Sequence, residues 1–321
     1  MGSLTEKILN FPPDSAVIGL DVGGSKLYSA LSDLSGRLRE ERKETWTPGS
    51  EDVLRRIISR IDALLSAAER DSRKVLGVCV GAPGVTRADE GIVSHATALG
   101  WHELPLGAIL SERFNLPVAV ENDVNLAAVG EWGFGLARGC SSLALVAVGT
   151  GIGCGVVIDG KIHRGSHHSA GEIGYLPPDV TALGKEYRGF GPLESFASGP
   201  GIALRAEMIF RERGWAVPAN GLSAEMIFQS AREGKDWALK VVDETVDYLC
   251  LAAAAISTVL DPDAIVIAGG VARSADLIIE PMQRKLKGAV PAPPRILASN
   301  LGPRAAVLGS VIRVVDIVKK M

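Results

Sequence analysis

Apolar runs that end in glycine or acidic residues organise the first part of the chain. Ala16 to Val22 is one such run, and Gly23-Gly24 follows it directly, which predicts a strand that enters a tight turn. Alternating residues and a second turn come next, so this segment predicts three consecutive strands. Two further strands are predicted at similar boundaries: Val75 to Val80 before Gly81-Ala-Pro-Gly84, and Leu116 to Val120 before Glu121-Asn-Asp123.

Apolar residues at helical spacing lie between these strands. They predict a helix after the third strand, with Ser50 as its N-cap and with Glu51 and Asp52 in its first turn. A second helix is predicted from Asp123 to about Ala137. The apolar positions of the first helix are Val53, Leu54, Ile57, Ile58, Ile61, Leu64 and Leu65.

The strand pattern then restarts. The apolar run Leu143 to Val148 leads into Gly149-Thr-Gly-Ile-Gly153, just as Val17 to Val22 leads into Gly23. The two glycines that end these runs, at positions 23 and 149, are 126 residues apart. Solenoid repeats have periods of about 20–50 residues, so the longer spacing predicts two similar domains.

Helices dominate the second half. They are predicted at about 193–213, 223–232, 236–259 and 305–319, with short strands at 264–267 and 295–298. Strands that alternate with helices indicate an α/β fold.

Composition and charge exclude several classes of protein. The chain has 321 residues, enough for one large or two ordinary domains, and a hydrophobic fraction of 47%. A net charge of -3 gives no electrostatic footprint for nucleic acid. Four scattered cysteines without CxxC spacing favour reduced thiols, and neither a signal peptide nor a membrane span is visible. We therefore expect a soluble, cytoplasmic protein whose partners include neither nucleic acid nor a membrane.

Glycine is the unusual component. The chain contains 37 glycines, and 13 of them lie between Gly149 and Gly201. A roughly 7% share is usual, and 37 in 321 residues is about 12%. Glycine allows tight turns and lets backbone amides approach a ligand closely, so the clusters at strand ends favour ligand-binding loops.

Two glycine loops are candidates for phosphate binding. In Gly23-Gly24-Ser25-Lys26 the backbone N–H groups can approach an anion, and Asp21 just before them can hold a hydrated Mg²⁺ ion. A simple hairpin turn explains this segment equally well. Gly149-Thr-Gly-Ile-Gly153 has neither the Walker A nor the GxGxxG spacing, and its alternative is a bulged hairpin.

Carboxylates and amides supply the remaining chemistry. Glu121-Asn-Asp123-Val-Asn125 lies at a strand-to-helix junction, where open α/β sheets bind ligands, although helix capping would use the same residue types. Glu172, between glycines, and Glu194, at a helix start, are either ligands or solvated or capping carboxylates.

Taken in order, these motifs resemble the ROK family of sugar kinases, which are bacterial glucokinase-like proteins. The resemblance covers about Ala16 to Gly309. The motifs that carry it are Asp21-Val-Gly-Gly-Ser-Lys26, Gly81-Ala-Pro-Gly84, Glu121-Asn-Asp-Val-Asn125, Gly149-Thr-Gly-Ile-Gly153, Gly171-Glu172 and Ala268-Gly-Gly270.

The resemblance implies a duplicated ribonuclease-H-like (actin-like ATPase) fold with two lobes and a cleft between them. The smaller domain is expected over 1–120, completed by the C-terminal helix 304–321, and the larger over 121–303. Some family members carry an N-terminal DNA-binding domain, and none is expected here because the first motif begins by residue 17. A homodimer is also implied.

The resemblance also implies roles for single residues. Asp123 is expected to be the catalytic base that accepts the proton of a sugar hydroxyl. The other site residues fall into a sugar-binding set and a set that binds ATP with Mg²⁺. The sugar-binding set is Asn122, Glu172, Glu194, Gly84 and Tyr175. The nucleotide set is Asp21 (also the Mg²⁺ ligand), Gly23, Gly24 and Lys26, then Gly149, Thr150 and Gly151, and on the adenosine side Gly269 and Gly270.

Two departures from the family pattern bear on metal and substrate. Many members have a zinc site built from a histidine and a CxCGxxGC cluster, whereas this chain has Tyr175 at the histidine position and no cysteine between Tyr175 and Glu194. We therefore expect no zinc. Ala98 stands where the family has an asparagine near the sugar. The expected activity is transfer of the γ-phosphoryl group of ATP to a hexose, at O6 of glucose or a related sugar. A kinase for an amino or N-acyl sugar, a polyphosphate-using glucokinase and a non-catalytic sugar sensor remain alternatives.

Overall fold

A computed structural model describes residues 8–47, 52–187 and 191–321. The chain divides into two compact units. The first consists of Met1–Ser141, Gly155–Ala170 and Leu301–Met321, and the second of Ser142–Cys154 and Gly171–Asn300. Of the helices in the described residues, none combines the length and the apolar character needed to cross a lipid bilayer.

A five-stranded sheet with the order β3-β2-β1-β4-β8 forms the centre of the first unit. The first three strands are antiparallel neighbours, and β4 and β8 continue the sheet in parallel with β1. Apolar residues such as Ile18 and Leu20 on β1 are fully buried, which explains why the strand is a nearly continuous apolar run. The strands are β1 (Ser15–Val22), β2 (Lys26–Asp33), β3 (Leu38–Thr45), β4 (Lys74–Ala82) and β8 (Val118–Asn122).

Helix α1 (Val53–Arg70) follows β3, as the apolar spacing predicts. Its N-cap is Asp52, whose carboxylate accepts a hydrogen bond from the backbone N–H of Arg55 at 3.2 Å. The predicted cap, Ser50, and Glu51 lie outside the described residues.

A small sheet between β4 and β8 was not predicted. It has the order β5-β6-β7, with β5 (Val85–Arg87), β6 (Ile92–Ala96) and β7 (Trp101–Leu104), and α2 (Leu106–Phe114) follows it. These strands are three to five residues long and mostly half-buried, and they lack the apolar runs that reveal a buried strand.

The second sheet repeats the order of the first. Its order is β11-β10-β9-β12-β13, and β12 is parallel to both β9 and β13. If β9 is matched to β1, both sheets have the order third, second, first, fourth, fifth strand, which confirms the duplicated fold. The strands are β9 (Ser142–Val148), β10 (Ile152–Ile158), β11 (Lys161–Ile162), β12 (Ala264–Gly269) and β13 (Arg295–Ala298).

Most helices of the second unit lie between β11 and β12. The single helix predicted at 193–213 is two helices, because Ser198 has an extended backbone and its hydroxyl caps the second helix at the N–H of Gly201. These helices are α4 (Glu194–Ala197), α5 (Gly199–Glu212), α6 (Ala224–Arg232) and α7 (Asp236–Leu260), and α8 (Ala275–Leu286) lies between β12 and β13.

Two helices that follow the last strand of each sheet pack together in the first unit. They are α3 (Asp123–Phe134), which ends earlier than the predicted Ala137 at the extended residue Gly135, and α9 (Arg304–Val318). Gly130 lets the two helices approach closely, since a Cβ at this position would collide with the carbonyl oxygen of Ala305. This packing places residues 121–141 in the first unit, unlike the predicted boundary at residue 121.

Replacing Gly130 by alanine is expected to destabilise the protein by about 2 kcal/mol or more, because overpacking against backbone outweighs the roughly 1 kcal/mol gain in helix propensity. Urea unfolding followed by circular dichroism measures this change. Gly288→Ala is the matched control, because a Cβ at Gly288 would have no neighbour within 4 Å. Equal unfolding midpoints for the two variants would contradict the close approach of α3 and α9.

Candidate active site

The carboxyl ends of three parallel strands bring acidic residues together in the first unit. Asp21 on β1 pairs in register with Gly81 on β4, and Gly81 pairs with Glu121 on β8. Asp123 begins α3 two residues later, and a Cβ at Gly81 would lie 3.4 Å from the Cα of Asp123. Because Gly81 has no side chain, the first turn of α3 can pass close over the end of β4.

Asp21 and Asp123 behave as an interacting pair. Burial raises the pKa of Asp123, and the negative charge of Asp21 raises it further. Burial also raises the pKa of Asp21, while the charge of Lys26 acts on both carboxyl groups in the opposite direction. Both residues remain partly accessible. A carboxylate with an elevated pKa that a ligand can reach is suited to accept a proton.

Asn122 caps α3. Its side-chain oxygen accepts from the N–H of Asn125 at 3.0 Å, and its amide nitrogen donates to the carbonyl oxygen of Gly84 at 3.1 Å. Asn122 therefore acts as a helix cap, as one of the two interpretations predicted. These two hydrogen bonds use only one of the two hydrogens of its amide group. Gly84 has a φ of 81°, and a Cβ there would collide with the carbonyl oxygen of His95.

Glu121 is a buried charge that the sequence prediction did not place in the site. It is 0% exposed. Its carboxylate forms an ion pair with Arg164, whose Nε donates to Oε2 at 3.1 Å. The Nε of Arg313 on α9 lies 3.3 Å from the same oxygen. Glu121 therefore fixes the end of β8, the strand from which Asp123 emerges. The sequence motif that contains Glu121 does not reveal this role, because the two arginines lie 43 and about 190 positions away along the chain.

The first glycine motif forms a hairpin turn. The N–H of Gly23 donates to the carbonyl oxygen of Lys26 at 2.8 Å, and the indole N–H of Trp46 donates to the carbonyl oxygen of Gly24 at 3.1 Å. A Cβ at Gly24 would lie 2.9 Å from the Cβ of Ala98, so Ala98 lies against this motif. The backbone of this motif is therefore a hairpin turn. The positive charge of Lys26 lowers the pKa of both Asp21 and Asp123.

The second glycine motif is a shorter turn than the sequence pattern indicated, because β10 resumes at Ile152. The N–H of Gly149 donates to the carbonyl oxygen of Gly151 at 2.9 Å, and the carbonyl oxygen of Gly149 accepts from the N–H of Gly199 at 2.8 Å. Thr150 is exposed at the tip. We call residues 149–151 the donor loop.

Two acidic residues of the second unit lie near the donor loop. Glu194 accepts hydrogen bonds from the N–H groups of Ile152 and Gly191, each at 2.7 Å. Glu172 is exposed, and its pKa is raised by desolvation and then by the charge of Glu194. Tyr175 is 65% exposed, and its backbone N–H donates to the carbonyl oxygen of Glu172 at 3.1 Å. The two carboxylates therefore differ, since that of Glu194 is held by two backbone N–H groups, whereas that of Glu172 is exposed.

A cavity of about 510 Å³ opens beside the donor loop within the second unit. This volume is in the range of small-molecule sites, roughly 300–1,000 Å³. The predicted residues Gly149, Thr150 and Gly270 line it. Gly269 does not line it but has a φ of 81°, and a Cβ there would collide with the carbonyl oxygen of Val148.

The far wall of the cavity was not predicted. It comes from α5, from α6 and from the residues that follow Gly270, and the sequence motifs do not include these residues. The additional lining residues are Pro200, Ala203, Leu222, Ser223, Ala224, Glu225, Phe228, Arg232, Val271, Arg273 and Ser274, with Val148 and Gly199.

Two arginines line this cavity, and they differ in whether an acidic side chain pairs with them. Arg232 donates two hydrogen bonds of 2.8 Å to Asp276. Arg273 has no acidic partner at ion-pair distance among residues 8–47, 52–187 and 191–321, and its guanidinium lies 3.7 Å from the Cβ position of Gly270. The described lining of the cavity thus combines apolar side chains, the donor-loop residues Gly149 and Thr150, and an arginine without an acidic partner, which suits a ligand with a flat apolar part and phosphates.

Asp21 is the residue that the sequence predicts as a metal ligand. Within the described part of the chain, no group of three or more His, Cys, Asp or Glu side chains is arranged to hold a metal ion. A single partly buried carboxylate fits Mg²⁺, because this ion keeps several waters and takes one or two carboxylates together with phosphate oxygens.

Comparison with known proteins gives concordant results. A model of the ROK family matches residues 17–316. A glucokinase from Halalkalibacterium halodurans is 33% identical over 310 residues, 92% of each protein. A xylose repressor from Caldicellulosiruptor bescii is 27% identical over 317 residues, 94% of this chain and 78% of the repressor.

A solved structure agrees with the fold. The crystal structure of a ROK family glucokinase from Streptomyces griseus in complex with glucose and AMPPNP matches with a TM-score of 0.76 and 27% identity. The match covers 95% of this chain and 100% of that protein. It confirms the actin-like duplicated α/β fold that the sequence motifs implied.

Replacing Glu121 by glutamine is expected to destabilise the protein by about 3 kcal/mol, because a broken buried ion pair leaves guanidinium charge without its partner. Chemical denaturation measures the loss. Glu69→Gln is the control, because Glu69 is exposed on α1 of the same unit and should change stability by less than about 0.5 kcal/mol. A Glu121 variant as stable as the control would show that the pair does not fix the end of β8.

Proposed function

The chain belongs to the ROK family, and from this premise we propose that it is an ATP-dependent hexose kinase. It transfers the γ-phosphoryl group to a sugar hydroxyl, at O6 of glucose or a related hexose. The observation that carries the proposal is the position of Asp123, a partly accessible carboxylate with a raised pKa that starts α3 beside Asp21. The relatives named glucokinases support the same activity.

Asp123 is the proposed general base. Its carboxylate accepts the proton of the sugar hydroxyl as that oxygen attacks the γ-phosphorus, and ADP leaves with the electron pair of the broken P–O bond. Phosphoryl transfer depends mainly on positioning and charge stabilisation, so one well-placed base meets the demand for proton transfer. The raised pKa of Asp123 brings its proton affinity closer to neutral pH, where a base is most effective.

Backbone amides and the cavity of the second unit hold the nucleotide in this proposal. Gly149, Thr150 and Gly151 contact phosphates, and Gly269 and Gly270 lie on the adenosine side. Apolar side chains such as Phe228 and Val271 line the remainder. In the first unit, Gly23, Gly24 and Lys26 form the other phosphate motif.

Asp21 is the proposed ligand of Mg²⁺ that arrives with the nucleotide. When bound, this ion would neutralise part of the phosphate charge. The carboxylate of Asp21 fits that task because it is partly accessible and Mg²⁺ takes one or two carboxylates together with water and phosphate oxygens. Zinc is not part of the proposal, because Tyr175 and the segment up to Glu194 lack the histidine and cysteines of the family's zinc motif.

The sugar is proposed to contact Asn122, Glu172 and Tyr175, with Gly84 forming part of the wall and Glu194 a weaker contact. Asn122 keeps one amide hydrogen for a sugar hydroxyl while it caps α3. A bound sugar would cover these polar groups, and an analogue that leaves one of them without a hydroxyl partner would bind less well, because a buried unpaired group is costly. The proposal also includes a cytoplasmic location and a homodimer, both implied by the family.

A sugar-responsive regulator without kinase activity is the second candidate. The similarity to a xylose repressor over 94% of this chain favours it. The presence of Asp123 and of both glycine motifs favours the kinase.

A sugar panel tests the choice. ADP release is measured with ATP over glucose, mannose, fructose, glucosamine, N-acetylglucosamine and N-acetylmannosamine, and product formation is repeated with polyphosphate as donor. Reactions without sugar correct for ATP hydrolysis. We expect ATP-dependent turnover with the highest kcat/KM for glucose or a close relative. Tight sugar binding by calorimetry without turnover of any sugar, with either donor, would instead establish the regulator.

A further inference from the structure

One arginine of the cavity lining folds back over the end of β12. Arg273 belongs to a 3-10 turn, Val271–Ser274, that follows the strand. Its backbone N–H donates to the carbonyl oxygen of Gly270 at 3.3 Å, and its Nη2 atom lies 3.7 Å from the Cβ position of Gly270. Both residues line the cavity. The turn therefore places a guanidinium group beside the glycine that the sequence predicts on the adenosine side.

The nearest acidic residue along the chain is already paired with the other arginine. Asp276 accepts two hydrogen bonds of 2.8 Å from Arg232, and these bonds are the first cause of the lowered pKa of Asp276. Glu225 also lines the cavity, but it forms no ion pair with Arg273 in the part of the chain that the structure describes. The positive charge of Arg273 is therefore available to an anionic ligand.

Ser274 adds a hydroxyl group next to this guanidinium. It lines the cavity although the residue is only 6% exposed. Ser274 precedes α8, but its hydroxyl does not cap the helix, and it has no hydrogen-bond partner among the residues that the structure describes. Buried polar groups are normally hydrogen-bonded, so a buried hydroxyl without a protein partner at a cavity wall indicates a bond to a ligand or to water.

The register of the sheet relates Arg273 to the donor loop. Gly269 on β12 pairs with Val148 on β9, so Gly270 and Gly149 leave neighbouring parallel strands at the same edge. Neighbouring strands are about 4.8 Å apart, so the two positions can contact adjacent parts of one ligand. In the proposed function the terminal phosphates contact the donor loop and the adenosine lies beside Gly270. The phosphate group closest to Gly270 is then the α-phosphate.

We propose that Arg273 binds the α-phosphate of the nucleotide, and that the hydroxyl of Ser274 donates a second hydrogen bond to the same group. A guanidinium group matches the geometry of phosphate oxygens, and bonds of this kind are about twice as strong as those between neutral groups. The inference rests on the proposed function and deepens it, because it assigns two residues outside the sequence motifs to one phosphate group of the donor. The ligand class is a nucleoside mono-, di- or triphosphate.

A comparison of AMP with adenosine tests the contact, because these two ligands differ only in the α-phosphate. Isothermal calorimetry gives Kd for adenosine, AMP, ADP and ATP with Mg²⁺, for the wild-type protein and for Arg273→Gln. We expect the wild-type protein to bind AMP more tightly than adenosine. Arg273→Gln should raise Kd for AMP, ADP and ATP by the same factor, about tenfold, as fits loss of a hydrogen bond to a charged group. Kd for adenosine should change less than about threefold.

Three further variants separate charge, geometry and the hydroxyl group. Arg273→Lys keeps the charge but loses the planar fork, so its Kd for AMP should lie between those of the wild-type protein and Arg273→Gln. Ser274→Ala should raise Kd for AMP about threefold and leave Kd for adenosine unchanged. Arg284→Gln is the charge-matched control, because Arg284 is exposed on α8 and pairs with Glu280, and all four Kd values should stay the same.

Three outcomes would overturn the inference while the kinase proposal stands. If Arg273→Gln weakens adenosine as much as AMP, the guanidinium group packs on the base or shapes the cavity. If it weakens ADP and ATP but not AMP, the contact is with another phosphate group. If it binds all four ligands like the wild-type protein, Arg273 does not contact the nucleotide. A wild-type protein that binds neither ATP nor ADP would refute the proposed function, and the inference would fail with it.

Discussion

The candidate site depends on one constraint: two neighbouring carboxyl groups are partly buried where the parallel strands of one sheet end. Asp21 and Asp123 are each partly buried, burial raises the pKa of both, and the charge of Asp21 raises the pKa of Asp123 further, while Lys26 lowers both. Such a pair would not persist for stability alone, because removing charge from water is unfavourable. The arrangement is suited to a function in which one carboxyl group accepts a proton.

The surrounding chain is built to hold that pair in place. Gly81 lets α3 begin over the end of β4, and Asn122 caps the helix while it binds the carbonyl oxygen of Gly84. Glu121 anchors the same strand end through Arg164 and Arg313. Each of these residues acts on the position of Asp123 and not on its charge, which is consistent with a reaction controlled by positioning.

The two copies of the sheet carry different residues at their strand ends. Those strand-end patterns are the part of the site that the sequence could predict. Strand ends with glycine or acidic residues are local patterns, so the repeat and the candidate loops followed from the sequence. The wall of the cavity at Phe228 and Arg273, and the partners of Glu121, depend on segments that meet only after folding. The backbone contacts of Glu194 were missed for the same reason, since Ile152 lies 42 positions earlier.

The central claim is that Asp123 accepts the proton during transfer. A rapid-quench measurement of a single turnover, with Asp123→Asn in excess over ATP and the best sugar of the panel, tests it most directly, with sugar binding measured in parallel by calorimetry. Asparagine keeps the size of the side chain but cannot accept the proton. The account predicts unchanged sugar affinity and transfer slowed by about 10²–10⁴-fold, the usual contribution of a general base. Transfer within about threefold of the wild-type rate would contradict it.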